Sequence, residues 1–179
     1  MPVTPVVAST EADRRRAFDQ FTQSRLDREY RLAAIILRDA SEAEDAVHDA
    51  AIQAWLHWPD LRDQDRLDAW FGRVMANECR ARLRRRKIGP LTFSEPPERK
   101  APDTLSELQE REVLHAALAG LDADHRIAVV LRYVADLTPK QIAARTGDRE
   151  GTVKSRLHYA LREMRASLDA ADRAQGGRG

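Results

Sequence analysis

The feature that most constrains this chain is a run near its C-terminus, residues 121–168, where helix punctuation and apolar spacing agree at every step. Asp122 is placed to cap a short helix whose Ile127, Val130, Leu131 and Val134 share one stripe. Leu137 leads into Thr138-Pro139, an N-cap followed by the first helical position, where proline's missing N–H costs nothing. A second short helix turns Ile142 and Ala143 inward, and Gly147 stands where a helix ends in a left-handed residue. The closing helix spaces Val153, Leu157, Ala160, Leu161, Met164 and Leu168 three and four apart. Its other face shows Lys154, Ser155, His158 and Arg162, flanked by Arg156 and Tyr159. A short helix, a glycine turn and a longer helix with a polar, basic outward face predict a helix-turn-helix, whose second helix fits the major groove of DNA. A solvated helix at the end of an ordinary bundle would carry a similar face, so the face alone does not decide.

A length of 179 residues allows one domain or two small ones. Hydrophobic content of 42% with 33% charged residues suits a helical chain and excludes a disordered or membrane-embedded one. Net charge is only +1, so charge informs through its segregation. Basic residues cluster at 80–87 and along the last helix, acids at 42–49, and a local basic patch is what a DNA-binding surface needs. The single cysteine, Cys79, excludes an internal disulfide and a cysteine-rich zinc site, and is expected to be a buried or idle thiol. No apolar run approaches the ~20 residues of a membrane span. The opening MPVTPVVASTEADRRR lacks a signal peptide's apolar core, so a cytoplasmic protein without membrane insertion is expected.

Taken in order, residues 1–13 form an expected loose arm. Phe18, Phe21, Leu26, Tyr30, Ala33 and Leu37 recur at helical spacing, in one helix or two joined near Ser24. Ser41-Glu42-Ala43-Glu44 has the form of a capping box opening a helix that Pro59 stops. That helix has a core stripe of Ala43, Val47, Ala50, Ala54 and Trp55 and an opposite face of Asp45, His48, Asp49, Ile52 and Leu56. The next helix, about 66–87, turns Leu67, Trp70, Phe71 and Val74 inward and ends in the arginine-dominated NECRARLRRRK. Residues 89–104, with Pro90, Pro96, Pro97 and Pro102, have no periodicity and are expected to be a flexible linker. Leu105, Leu108, Val113 and Leu118 predict a further helix closed by Gly120, and the tail 171–179 is expected to be disordered. The fold class is therefore all-α: two small helical domains, 14–88 and 105–170, joined by a proline-rich tether.

The wording LRYVADLTPKQIAARTG followed by GTVKSRL resembles region 4 of the bacterial sigma-70 family, in its extracytoplasmic-function (ECF) branch. AEDAVHDAAIQAW followed by LDAWFGRVMANECRARLRRRK resembles region 2 of the same branch, so both family domains stand in the right order. The resemblance implies a factor that binds core RNA polymerase and directs transcription initiation at promoters. Region 4 would read a −35 element through Thr152, Lys154, Ser155, Arg156, His158, Tyr159 and Arg162. Region 2 would melt and trap a −10 element through the loop 61–68, with Arg62, Asp63 and Arg66, and through Arg73, Asn77, Arg80, Arg84 and Arg85. Opening DNA calls for a basic track, and Arg73, Arg80, Arg82, Arg84, Arg85 and Arg86 supply one; a helix dipole accounts for only part of that density. Asp45, His48, Asp49, Ile52 and Leu56 match the family's surface for the β′ clamp helices, and the β flap is the other implied polymerase contact. An anti-sigma partner and a monomeric chain are implied by resemblance alone. No cofactor is implied.

Departures from the family wording fall at the turn, where Gly147-Asp148-Arg149-Glu150-Gly151 replaces Gly-Ile-Ser-x-Gly. The apolar plug is lost and Asp148 is the candidate cap. In the clamp face His48 stands where the family has glutamine, which brings pH sensitivity. A freestanding helix-turn-helix regulator of duplex DNA is the alternative, and the arginine-rich helix with the clamp-like face argues against it. Glu44, Asp45, His48 and Asp49 lie one turn apart and invite a metal, but no matching acid-and-histidine set stands on a second helix. Neither a phosphate-cradling glycine loop nor a nucleophile–base signature is present, so no enzymatic activity is expected.

Overall fold

A computed structural model describes residues 11–57, 64–86 and 105–176, with side chains left out for 64–66, 105–111 and 174–176. Residues 1–10 of the expected arm 1–13, the loop residues 58–63 and the linker 89–104 lie outside the described residues, whereas Glu11–Asp13, expected in the arm, already form the first turn of a helix. Regular structure among the described residues is helical throughout: α1 (Glu11–Gln23), α2 (Leu26–Leu37), α3 (Ala40–His57), α4 (Gln64–Arg86), α5 (Leu105–Gly120), α6 (Ala123–Tyr133), α7 (Pro139–Thr146) and α8 (Glu150–Gly176).

Helices α1–α4 build one layer of core. Phe21 meets Phe71 edge-on at 5.4 Å between ring centres, and Phe18 meets Trp55 at 5.1 Å. The fully buried residues of helix α3 are all alanines, Ala43, Ala46, Ala50 and Ala54, so its backbone lies close against α2 and α4, while Val47 and Trp55 pack partly buried at the edge of the same core. Two larger apolar residues, Ile52 and Leu56, are exposed on the opposite side. The corner between α2 and α3 is made without glycine. Arg38 ends α2 in a left-handed conformation, φ 53°, and its N–H donates to Ala34 O at 2.8 Å. Asp39 then caps α3 by accepting the Glu42 N–H at 3.0 Å. The cap is thus Asp39, paired with Glu42 in the Asp-x-x-Glu spacing, and not Ser41, which lies exposed inside the first turn.

Helices α5–α8 form the second layer of core, with Leu118, Ile127, Val130, Leu131, Ile142, Val153, Leu157, Ala160 and Met164 buried. Asp122 caps α6 by accepting the His125 N–H at 2.9 Å. Thr138 and Gln141 form a reciprocal capping box with Pro139 in the first turn of α7. Gly147 ends α7 at φ 78°, a left-handed conformation that glycine adopts without a Cβ clash. Two stripe residues differ from expectation: Val134 and Leu161 are exposed, because the buried seam of α8 is narrower than the sequence stripe and α6 ends at Tyr133. Helix α8 continues to Gly176, past the point where the periodicity stops.

The two layers pack against each other. Glu29, Leu32, Ile36, Met75 and Cys79 meet Ile127, Leu131 and Arg145 around one small cavity. The approach is close at Gly72 on α4, where an added Cβ would lie 2.6 Å from Arg145 Cγ. Arg145 pairs with buried Glu29, Arg126 Nη1 donates to Ile36 O at 3.2 Å, and Arg38 Nη1 donates to His115 O at 3.3 Å.

Candidate nucleic-acid interface

The outward face of α8 carries Thr152, Lys154, Ser155, His158, Tyr159 and Arg162, all exposed and held by a helix whose opposite side is buried through Val153, Leu157 and Ala160. Lys154 pairs along the helix with Glu150 at 2.7 Å, and that pairing lowers the Glu150 carboxyl below its ordinary range. His158 and Tyr159 stack edge-on at 5.5 Å. Arg156 departs from this face. It is turned back against α6 and the α7–α8 turn, pairing with Asp148 and, at 3.6 Å, with Asp124. Asp148 is therefore occupied by Arg156, and α8 begins at Glu150, with the Val153 N–H donating to Arg149 O at 3.1 Å. The expected Asp148 cap is replaced by an ion pair.

On α4, Arg73, Asn77, Arg84 and Arg85 are exposed and Arg80 is half-buried. Arg73 Nη2 donates to Ala144 O of α7 at 3.2 Å. Arg80 donates to Asn77 Oδ1 at 2.6 Å and pairs with Asp124 at 2.5 Å, and Arg84 reaches Asp124 at 3.9 Å. Arg62 and Asp63 lie outside the described residues; Arg66 belongs to the first turn of α4, with its side chain outside them. Two members of the expected arginine track serve the fold instead. Arg82 is buried and pairs with Glu42 at 3.3 Å, Asp49 at 2.6 Å and Glu78 at 2.5 Å. Arg86 pairs with Asp39 at 3.0 Å and donates to Leu37 O at 2.5 Å, tying the end of α4 to the α2–α3 corner.

The outer face of α3 presents Asp45, His48, Asp49, Ile52 and Leu56 together, all exposed, with Ile52 at 46% and Leu56 at 65%. An acidic rim around exposed aliphatics is chemistry suited to a basic helical partner and leaves an apolar contact to be covered. Asp49 is anchored from behind by Arg82, so its carboxylate is held in place before any partner arrives. Among the described residues no group of three or more His, Cys, Asp or Glu side chains is arranged to hold a metal. Cys79 is buried between the layers, and burial pushes its thiol up to about 12. Among the described residues, no helix is long and apolar enough to cross a membrane.

Comparison with known proteins decides between the readings these surfaces allow. The family model described as Sigma-70 region 2 matches residues 21–88, and that described as Sigma-70, region 4 matches residues 111–164. The ECF RNA polymerase sigma factor SigL of Mycobacterium tuberculosis is 37% identical over 144 residues, covering 78% of this chain and 81% of that protein. The chain belongs to the ECF branch of the sigma-70 family. It is a sigma factor of transcription initiation. The RNA polymerase sigma-E factor of Streptomyces coelicolor is 31% identical, with 87% of this chain and 88% of that protein covered. Among solved structures, the sigma factor RpoE of Bartonella quintana, crystallised with the anti-sigma factor NepR, superimposes with a TM-score of 0.67 at 25% identity, covering 86% of this chain and 98% of that one. CnrH, solved in complex with the cytosolic domain of CnrY, gives a TM-score of 0.64 at 24% identity and shares the fold.

Sequence reasoning on this sigma factor missed the long-range acids. Glu29 and Asp124 organise arginines 116 and 44 residues away. Glu29 carried a signal, an acid buried among Leu32, Ala33 and Ile36 on α2; Asp124, in the polar first turn of a helix, carried none.

Proposed function

We propose that residues 14–88 act as a region 2 unit and residues 105–170 as a region 4 unit of a monomeric, cytoplasmic sigma factor, with 89–104 between them. Core RNA polymerase docks its β′ clamp helices on Asp45, His48, Asp49, Ile52 and Leu56 and its β flap on the region 4 unit. The α8 face, through Thr152, Lys154, Ser155, His158, Tyr159 and Arg162, reads a −35 element, with the basic side chains divided between phosphates and base edges. Arg156 joins them once released from Asp148. The α4 face, through Arg66, Arg73, Asn77, Arg80, Arg84 and Arg85 with Arg62 and Asp63 of the preceding loop, traps single-stranded −10 DNA. The solved relative RpoE, bound to the anti-sigma factor NepR, supports control of this chain by one as well. The chain needs no catalytic residue of its own, since polymerase supplies the chemistry.

The observation that carries this reading is the α3 outer face, where exposed Ile52 and Leu56 sit inside an acidic rim on a protein that also presents a basic recognition helix. A lone duplex-binding regulator has no use for such a face. The test is promoter-dependent transcription by purified core polymerase with and without this chain, alongside Asp45→Arg. RNA from a defined start that requires the chain and falls at least about tenfold in the variant is expected, because a like charge set against a basic partner helix costs more than ~1.4 kcal/mol. Tight duplex binding by the chain alone, with no polymerase-dependent transcript, would establish the freestanding regulator instead.

A further inference from the structure

Arginines from both candidate DNA surfaces converge on one carboxylate. Asp124 lies in the first turn of α6 with its side chain one-quarter exposed. Its Oδ1 accepts Arg80 of α4 at 2.5 Å; its Oδ2 lies 3.9 Å from Arg84 of α4 and 3.6 Å from Arg156 of α8. Second acceptors help hold the same cations: Asn77 Oδ1 takes Arg80 at 2.6 Å, and Asp148 takes Arg156. Two acceptor oxygens shared among guanidinium forks are what a DNA phosphate offers these side chains. We propose that Asp124 is an internal stand-in for a DNA phosphate, a latch that holds the two helical layers closed and withholds Arg80 and Arg156 from promoter DNA, with the exposed Arg84 at its rim. This rests on reading those arginines as DNA ligands.

The surroundings show what the latch works with. The layers also meet through apolar packing of Leu32, Ile36, Met75 and Cys79 on Ile127 and Leu131, and the other polar ties across them are mainly single contacts, such as Arg73 to Ala144 O and Arg126 to Ile36 O, beside the Glu29–Arg145 pair. A phosphate competes for the same guanidiniums that close the molecule, so DNA binding and closure exclude each other. Linkage then reduces the apparent DNA affinity by the fraction of molecules that are open. Removing the carboxylate has a second effect: it leaves Arg80, Arg84 and Arg156 close together without that counter-charge, and their repulsion favours separation.

Cys79 provides a built-in reporter, being the only cysteine of the chain and 2% exposed between the layers. The experiment uses the full chain as wild type, Asp124→Asn, Asp124→Ser, Asp124→Glu and Asp136→Asn. Asp136 is exposed and left-handed, φ 53°, a position asparagine fills readily, so its variant repeats the charge change away from the latch. Because Asp122 caps α6, the Asp124 variants keep that cap, and far-UV circular dichroism checks that helicity is retained. Two quantities are read: the rate of Cys79 labelling by a chromogenic disulfide reagent, and the affinity for a fluorescent single-stranded oligonucleotide and a duplex at one fixed salt concentration. Expected for both neutral Asp124 variants is labelling and DNA binding each enhanced about tenfold, the gain for a latch that leaves a tenth of the molecules open. Asp124→Glu and Asp136→Asn should stay within about twofold of wild type, a difference under ~0.5 kcal/mol. Labelling at the wild-type rate in folded neutral variants, or equal enhancement in Asp136→Asn, overturns the latch. Faster labelling without tighter DNA binding overturns the assignment of these arginines to DNA while leaving the closure by Asp124 intact.

Discussion

Replacing Arg82 with methionine isolates what a cation buried beneath the α3 face contributes. The substitution keeps an unbranched apolar stem and removes a guanidinium whose side chain is 4% exposed and which pairs with Glu42, Asp49 and Glu78 at 3.3, 2.6 and 2.5 Å. Breaking a fully buried pair costs ~3–5 kcal/mol. Here the acids are 38%, 51% and 20% exposed, so water takes over at Glu42 and Asp49, and only Glu78 is left poorly solvated. The methionine also avoids the guanidinium's desolvation cost. A net loss of about 2 kcal/mol follows, or roughly 4–8 °C in Tm for a chain of this size. Thermal unfolding followed by circular dichroism at pH 7 measures it. A double-mutant cycle with Glu78→Gln sharpens the attribution: the second change should cost less in the Arg82→Met background than alone, with a coupling of about 1 kcal/mol. A Tm within about 1 °C of wild type (under about 0.5 kcal/mol) would refute the structural role and return Arg82 to the DNA-facing track.

Two further predictions concern a cap and a thiol. Asp39→Ala removes both the α3 cap and the partner of Arg86 and should cost about 1–2 kcal/mol in chemical denaturation, whereas Ser41→Ala should cost less than about 0.5; the reverse order would restore Ser41 as the cap. Cys79 is held neutral in the fold, its thiol raised from 9.0 to about 12 by burial. The unfolded chain loses that proton first, so this group's contribution is complete below pH 9.0 and is lost as pH rises toward about 12, at ~1.4 kcal/mol per pH unit. Cys79→Ala should flatten that slope in urea titrations at about pH 9–11, and an unchanged slope would place its origin elsewhere.

The architecture was legible wherever it rested on local rules. Thr138-Pro139, Gly147 and Asp122 each act through neighbours within a few residues, and each performs its expected task. Ser41 was misread because two overlapping Ser/Asp-x-x-Glu spacings compete, and only the left-handed Arg38 before Asp39 selects between them. The tail beyond Leu168 lacks an apolar stripe, yet Ala170, Ala171, Arg173 and Gln175 are good helix formers, and α8 follows propensity there. The candidate surfaces were legible as residue types on helix faces. Which arginines are tied into the fold by ion pairs was not. The acids that sort them, Asp39, Asp49 and Asp124, stand far off in the chain, 33 residues from Arg82 for Asp49 and 44 from Arg80 for Asp124.

The alanine inner face of α3 sets the mutational tolerance of the whole helix. Enlarging Ala43, Ala46, Ala50 or Ala54 forces a shift against α2 or α4 at a cost of ~1–3 kcal/mol, so these positions are nearly frozen. Asp45, His48, Ile52 and Leu56 contribute almost nothing to the core, and changes there cost within about 0.5 kcal/mol. Asp49 alone belongs to both sides, through Arg82. The outer surface of this helix can therefore be rewritten for a new partner without renegotiating the fold beneath it, with Asp49 as the fixed point around which such rewriting occurs.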